Sequence, residues 1–345
     1  MPTAPLPRPV LLLGSVPLSS ASEVFEAVAE TLGPLARRIP DGETGIRKGW
    51  LAWQQDLFAS AAGLEPGGER IIQGGRFKFI TYKVKSGSVP GEVKFGPLHY
   101  AENAQQSYAD FRRLRSAGRI PTGTRFQVSM PTPLALVFGF IVPAEIATVW
   151  PILEQRMLQE IDDIAGAIPH RDLALQWDIA VELDGILEVP AVAKNYPIDR
   201  LVGSIARVSN HIPADIELGL HLCYGDPGHK HIVEPKDTGV MVDLANRLSA
   251  AIERPIAWLH MPVPRDRDDD NYFAPLRELN LKHGEELYLG LVHLTDGVEG
   301  AKRRLAAAKR VVQDFGVATE CGLGRRPPET IAEVLVLHRK VASLG

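Results

Sequence analysis

Only two cysteines occur in the 345 residues, Cys223 and Cys321, and each ends a short apolar run. His221 and Cys223 are two apart in "IELGLHLC" (Ile216 to Cys223), so on an extended strand both side chains leave the same face. Imidazole nitrogen and thiolate sulfur are the ligands zinc prefers, at about 2.0–2.3 Å. Alone, a His-x-Cys pair in an apolar strand reads as a core pair, because cysteine is among the most buried residue types. Cys321, at the end of "GVATECGL" (Gly316 to Leu323), changes the weighing. If the two runs end on one rim, three donors meet and a fourth position stays open, the catalytic arrangement of zinc. We therefore expect a Zn²⁺ site of His221, Cys223 and Cys321, with the two sulfur atoms less than about 7 Å apart.

Other reactive groups also fall at the ends of apolar runs: Ser15, Asp41 and Glu43, Ser129, Gln176 and Asp178, His260, and then His293 with Asp296. Asp178, flanked by Trp177 and Ile179, could hold a substrate ammonium group. Ser15, Glu43, Ser129 and Gln176 join it as substrate-binding candidates. His260 could complete the metal shell, act as acid/base, or cap the interior. His293 beside Asp296 reads as an acid/base pair or as a satisfied core histidine. Glu182, Asp184 and the run Asp266 to Asp270 read as solvated loop, as do His229 and His231 in "GDPGHKH". Trp50 and Trp53 read as core residues of a helix, with an aromatic pocket wall as the alternative.

The elements that must position these groups alternate along the chain. "PVLLLGSVP" (Pro9 to Pro17) and "LARRIPDGE" read as the first two strands, separated by an amphipathic helix from Ser20 to Leu32. Further strands are expected at Arg125 to Pro131, Leu173 to Ala180, Ile216 to Cys223, Pro255 to Val263, Leu287 to Leu294 and Gly316 to Leu323, with helical periods between them. Eight β/α units predict a (β/α)8 barrel, a TIM barrel, formed by residues 1–345 as one domain. A doubly wound open sheet is the alternative. No Gly-x-Gly-x-x-Gly follows a strand and no phosphate-binding P-loop is present, which removes the nucleotide-cradling readings. "RFKFITYKVKSGSVPGEVKFG" alternates in period two, predicting an inserted β-hairpin near residues 70–98. In such a barrel the C-terminal strand ends build the active site, and the candidates above fall there.

Composition sets the limits. The chain is 45% hydrophobic and 23% charged, with 38 basic against 42 acidic side chains and a formal net charge of −4. That excludes wholesale disorder and argues against a nucleic-acid partner, which would want a basic face. The longest uncharged apolar run, Leu134 to Val142, is nine residues, whereas a bilayer span takes roughly 20. No membrane helix is expected. The apolar stretch near the N-terminus lacks a clear basic flank, so a strand in a cytoplasmic protein is expected there, and a reducing compartment argues against a disulfide.

With the residues in this order, the chain resembles the C-terminal catalytic barrel of cobalamin-independent methionine synthase. That barrel belongs to a superfamily with uroporphyrinogen decarboxylase and the zinc alkyltransferases acting on coenzyme M. "GLHLCY" resembles the family's His-x-Cys zinc segment, and "ECGLGRR" its distal Asp-Cys-Gly-Leu-x-x-Arg segment. "QWDIAVE" is similar to the Gln-x-Asp-Glu strand, "IPDGETGIR" to a His-Gly-Glu segment, and "GSVP" to the opening Gly-Ser-x-Pro. "VSMPTPLAL" stands where the family has Leu-Thr-Gly-Pro-Val-Thr. The resemblance implies zinc on His221, Cys223 and Cys321, with Glu43 and Asp178 in the substrate pocket. It also implies a zinc-dependent alkyl (methyl) transferase that activates a small thiol.

The departures matter. The family's zinc-binding glutamate after strand six corresponds to His260 in "AWLHMPV", its acid histidine after strand seven to Thr295, and its strand-four glutamate to Ile179. Replacing a carboxylate by imidazole would leave a neutral donor set and a stronger Lewis acid. This keeps a zinc-dependent lyase or hydrolase acting on a small polar or aromatic compound as the second reading. A metal-free barrel is the third.

Overall fold

The computed structural model describes residues 6–72, 77–187, 189–225, 231 and 233–344. Seven strands run parallel in one sheet: β1 (Arg38–Pro40), β4 (Arg125–Pro131), β5 (Leu173–Ile179), β6 (Glu217–Leu222), β7 (Trp258–Pro262), β8 (Glu286–Val292) and β9 (Gly316–Thr319). The extended segment 9–16 fits between the two edges. Val10 bridges both Ala36 and Val317, and Ser15 bridges Gly42. The eighth stave is thus present as a bridged segment, and the fold is a (β/α)8 barrel with helices outside.

The helices begin where local chemistry favours them. Ser20 accepts the Glu23 N–H to start the helix Ala21–Leu32, which buries Val24, Phe25, Val28 and Leu32. Two elements go beyond the sequence reading. The nine-residue apolar run forms the buried helix Pro133–Phe140, with Thr132 capping Ala135 N–H. After β5 the backbone winds into a π-helical turn, Val181–Leu187. Around Trp50, where one helix was expected, two short 3₁₀ turns (Gly45–Gly49 and Ala52–Gln54) precede the brief helix Gln55–Ser60.

The hairpin is present, shifted toward the N-terminus. Its strands β2 (Leu64–Ile72) and β3 (Phe77–Val84) pair antiparallel, with a register shift between Pro66 and Gly68. "LEPGG" carries little strand propensity, which hides the first strand from a reading based on residue type. The second half of the expected region contributes only the 3₁₀ turn Pro90–Glu92 and the bridge from Ala62 to Lys94. Val142 N–H donates to Tyr82 O at 2.9 Å, and Phe79 meets Phe140 edge-on at 5.5 Å, docking the hairpin on the barrel.

Inside the barrel, period-two alternation stacks side chains in layers. At the N-terminal end Arg38 reaches Glu217 and Glu286 and lies 4.4 Å over the Trp258 ring. Leu11, Leu13, Ala174, Trp258, Tyr288 and Ala318 fill the middle. One layer higher, Gln176 Nε2 donates to Leu13 O at 3.1 Å and to Asp178 at 2.9 Å, and Gln127 Nε2 donates to Leu12 O at 3.0 Å. Above this lies the mouth. Among the described residues no helix is long and apolar enough to cross a membrane.

Candidate metal centre and substrate pocket

Parallel register sets the mouth. Asp178 on β5, His221 on β6 and His260 on β7 are successive register partners, so their side chains enter the barrel at one level. Cys223 continues the inward face two residues past His221, and its N–H is held by Ile179 O at 3.1 Å. Cys321 arrives from the loop after β9. Ser15 anchors that loop: its Oγ accepts the Gly324 N–H at 3.2 Å and its carbonyl accepts the Leu323 N–H at 2.7 Å. A Cβ on Gly322 would lie 2.5 Å from Ser15 Oγ, so a side chain beside Cys321 would push the Ser15 hydroxyl from its bond to Gly324.

The donor atoms of His221, Cys223 and Cys321 all lie within 4.8 Å of one another. The two sulfurs are 3.4 Å apart, and no disulfide joins them. The hydrogen bond from the Cys223 thiol pulls Cys321 well below the ordinary thiol range, and His221 and Arg325 add to that against burial. His221 Nδ1 and His260 Nδ1 are 2.8 Å apart, and His260 Nε2 is 3.1 Å from Thr319 O. His260 is fully buried; burial first, then His221, holds it well below the usual histidine value. Soft sulfur with imidazole is the donor chemistry of zinc, whereas calcium or magnesium would want oxygen. These residues fit that group.

Beside the donors sits an acidic pocket. Burial raises Asp178 to about 6, opposed by His221, by the Gln176 hydrogen bond and by a hydrogen bond from the Trp50 side chain. Burial and then Asp178 and Asp41 push Glu43 well above the carboxylate range. Glu43 reaches the pocket because Gly14, at φ +122°, leaves room: a Cβ there would lie 3.2 Å from Glu43 Oε1 and 3.1 Å from Ser129 Oγ. Ser129 Oγ itself accepts from Gln176 and Gln127, each at 3.3 Å. Asp41 holds the loop beneath, accepting from Arg47 and Ser107 at 2.9 Å and from the Glu43 N–H at 2.9 Å. Glu43 and Trp50 both adopt left-handed backbone conformations, φ 48° and 54°, a strained choice for residues with side chains.

The remaining candidates lie in separate settings. His293 directs Nε2 to Val263 O at 2.8 Å, and its Nδ1 is 3.8 Å from Glu320. Burial, then Arg304, lowers it to about 4. Asp296 accepts two hydrogen bonds, at 2.6 and 2.8 Å, from the fully buried Arg304 of the helix Gly297–Lys309. Its carboxylate is thus engaged with Arg304 rather than with His293. His231, expected to be solvated, is buried between Glu320 at 2.8 Å and Glu234 at 3.0 Å. Burial would lower it, but these carboxylates raise it to about 9. His229 lies outside the described residues. Glu182 is also fully buried, its Oε1 bonded to Thr132 and its Oε2 without a hydrogen-bond partner among the described residues.

One pocket residue escapes the sequence reading, and another enters it only through the alternative of an aromatic pocket wall. Trp50 follows "GETGIRKG", whose three glycines mark a loop rather than the helix expected there. The Tyr100 hydroxyl is buried, and is pushed well above its ordinary value by burial and then Glu43, against a hydrogen bond from the Gln54 side chain. No local signal in the helix Tyr100–Ser116 marks it out.

No protein-family model matches the chain, and no curated protein matches its sequence. Solved structures do. A putative vitamin-B12-independent methionine synthase from Listeria monocytogenes aligns with a TM-score of 0.60 at 13% identity, covering 98% of this chain and 97% of that one. A B12-independent methionine synthase from Shewanella sp. W3-18-1, in complex with selenomethionine, aligns at 0.56 and 14% identity, covering 98% and 97%. A methyltransferase from Methanosarcina mazei aligns at 0.54 and 12%, covering 97% and 94%. The chain shares the barrel fold of these three proteins over nearly its whole length.

Proposed function

We propose that this chain is a zinc-dependent methyl (alkyl) transferase whose acceptor is a small thiol carrying an ammonium group. The observation that carries the reading is the cluster of His221, Cys223 and Cys321, with two sulfurs 3.4 Å apart and not joined by a disulfide at the C-terminal mouth of the barrel. These three residues would hold the ion. Zinc bound there lowers the pKa of a thiol and presents the thiolate as a nucleophile.

The chain's own residues supply the rest. Asp178 and Glu43 face the cluster and bind an ammonium group, which relieves the cost of two neighbouring buried carboxylates. Gln176 orients the Asp178 carboxylate from below, and the Trp50 side chain holds it from the loop. The selenomethionine bound by the Shewanella protein has the chemistry such a pocket would suit: an amino acid with a chalcogen in its side chain. Two thiols this close without a disulfide between them also suit a reducing compartment, the cytoplasm.

Titration of the zinc-loaded protein with homocysteine and other small thiols tests the reading. Proton release and a new zinc–sulfur signal in X-ray absorption are expected; no response to any thiol overturns it. One observation favours a lyase or hydrolase as the second reading: the donor cluster contains two thiols and an imidazole with no carboxylate among the described residues. With both thiols ionised that donor set would neutralise the ion and leave it a stronger Lewis acid. Turnover in the absence of any thiol would select this second reading.

A further inference from the structure

We infer that His260 is a positioning residue: it sets the tautomer of His221 and braces the strand that delivers Cys321, while donating no nitrogen to the metal. The inference rests on the zinc reading above and deepens it, because it assigns how this chain prepares its one imidazole ligand.

A backbone carbonyl only accepts, so the contact from His260 Nε2 to Thr319 O at 3.1 Å places the proton on Nε2. With its Nδ1 turned to His260, His221 offers the metal its Nε2, and a neutral imidazole that ligates through Nε2 carries its proton on Nδ1. The 2.8 Å contact between the two Nδ1 atoms then needs its proton on His221. His221 is therefore the Nδ1–H tautomer, and its Nε2 lone pair is the one available beside Cys321 and Cys223. Both nitrogens of His260 are spent in this relay, and it stands outside the group of donor atoms that lie within 4.8 Å of one another.

The relay also spans the barrel mouth. Thr319, whose carbonyl receives His260, donates through Oγ1 to the Cys321 carbonyl at 2.8 Å. One continuous path, His221–His260–Thr319–Cys321, thus ties the imidazole donor on β6 to the sulfur donor that follows β9. Partners of this kind orient ligands, and their loss typically weakens metal binding about 10–100-fold.

The test compares the wild type, His260→Ala and His260→Asn, whose Oδ1 can take the place of Nδ1 as acceptor. Zinc affinity is read by competition with a chromogenic chelator, and geometry from the absorption spectrum of the cobalt-substituted protein. We expect His260→Ala to bind zinc about 10–100-fold more weakly with an altered cobalt spectrum, and His260→Asn to recover most of both. Long-range ¹H–¹⁵N spectra of the histidine-labelled, zinc-free wild type give a readout that needs no variant, with His221 expected as the Nδ1–H form and His260 as the Nε2–H form. Unchanged affinity and spectrum in His260→Ala overturn the inference, as does the opposite tautomer at His221. A nitrogen lost from the zinc shell in His260→Ala would overturn it too, by making His260 a ligand. In all three cases the zinc reading stands. A wild type that takes up no zinc overturns both.

Discussion

Asp178 and His221 are direct register partners on neighbouring parallel strands, which sets a buried carboxylate one strand spacing from the candidate metal imidazole. That spacing is about 4.8 Å, so an acceptor that bridges both sites must carry its ammonium group only a few bonds from its sulfur. On the proposed reading, amino thiols of this length are the expected acceptors, and long or bulky thiols are expected to be poor ones.

Removing the charge at Asp178 should therefore act on the ammonium. A hydrogen bond to a charged group contributes roughly 1.5–3 kcal/mol, so Asp178→Asn is expected to raise KM for an amino thiol about 10–150-fold. The same thiol without its amino group should show little change. Steady-state kinetics with the matched pair checks this; equal losses for both would place Asp178 in a structural role. Glu43→Gln should act in the same direction.

The sulfur donors call for a different measurement. Cys223→Ser and Cys321→Ser each remove one of two thiols that lie 3.4 Å apart. Each variant is expected to lose most bound zinc, weakening affinity by about 100-fold or more, while circular dichroism stays that of the wild type. The barrel's core rests on other residues, so folding should survive. Metal content equal to the wild type in either variant would remove that cysteine from the donor set.

Trp50 offers a prediction about strain. Its φ of 54° is held while the side chain donates to Asp178. Trp50→Phe keeps an aromatic ring and loses the donor, leaving the buried carboxylate one hydrogen bond poorer. A loss of about 1 kcal/mol in binding the amino thiol is expected, near fivefold in KM, with zinc content unchanged. Tryptophan fluorescence should also respond to the amino thiol in the wild type and lose that response in the variant. A variant that binds the thiol as tightly as the wild type would show that the loop merely covers the mouth.

What the sequence made legible, and what it hid, follows the range of the interactions involved. Period-two alternation put His221 and Cys223 on one face, and the β/α rhythm put Cys321 on the same rim; both are local patterns read over a few residues. Contacts between distant segments were out of reach. Asp296 looks like a partner for His293 three residues away, yet its carboxylate is engaged by Arg304, about two turns along the helix that Asp296 itself caps. His231 reads as solvated in a polar loop but is buried by Glu234 and Glu320, the latter 89 residues on in sequence. Trp50 points into the mouth only because its backbone takes a left-handed turn that residue type disfavours. Each of these depends on tertiary packing overriding a local preference.

Glu182 gives the clearest dependence on pH, because no charged partner among the described residues compensates it. Burial raises its carboxyl to about 7, against the hydrogen bond from Thr132 and its own backbone. The ordinary value is 4.5. A carboxyl whose folded value lies above its unfolded one binds its proton more tightly when folded, so it favours the folded chain at low pH. That advantage is fully present below about 4.5 and is lost as pH rises through about 7. At pH 8 the loss amounts to roughly 3 kcal/mol. Glu182→Gln cannot ionise, so its urea-unfolding free energy should lack this decline, and the difference between wild type and variant should shift by that amount between pH 4 and pH 8. Parallel profiles for the two proteins would mean that Glu182 keeps the same proton affinity in the folded and unfolded chain.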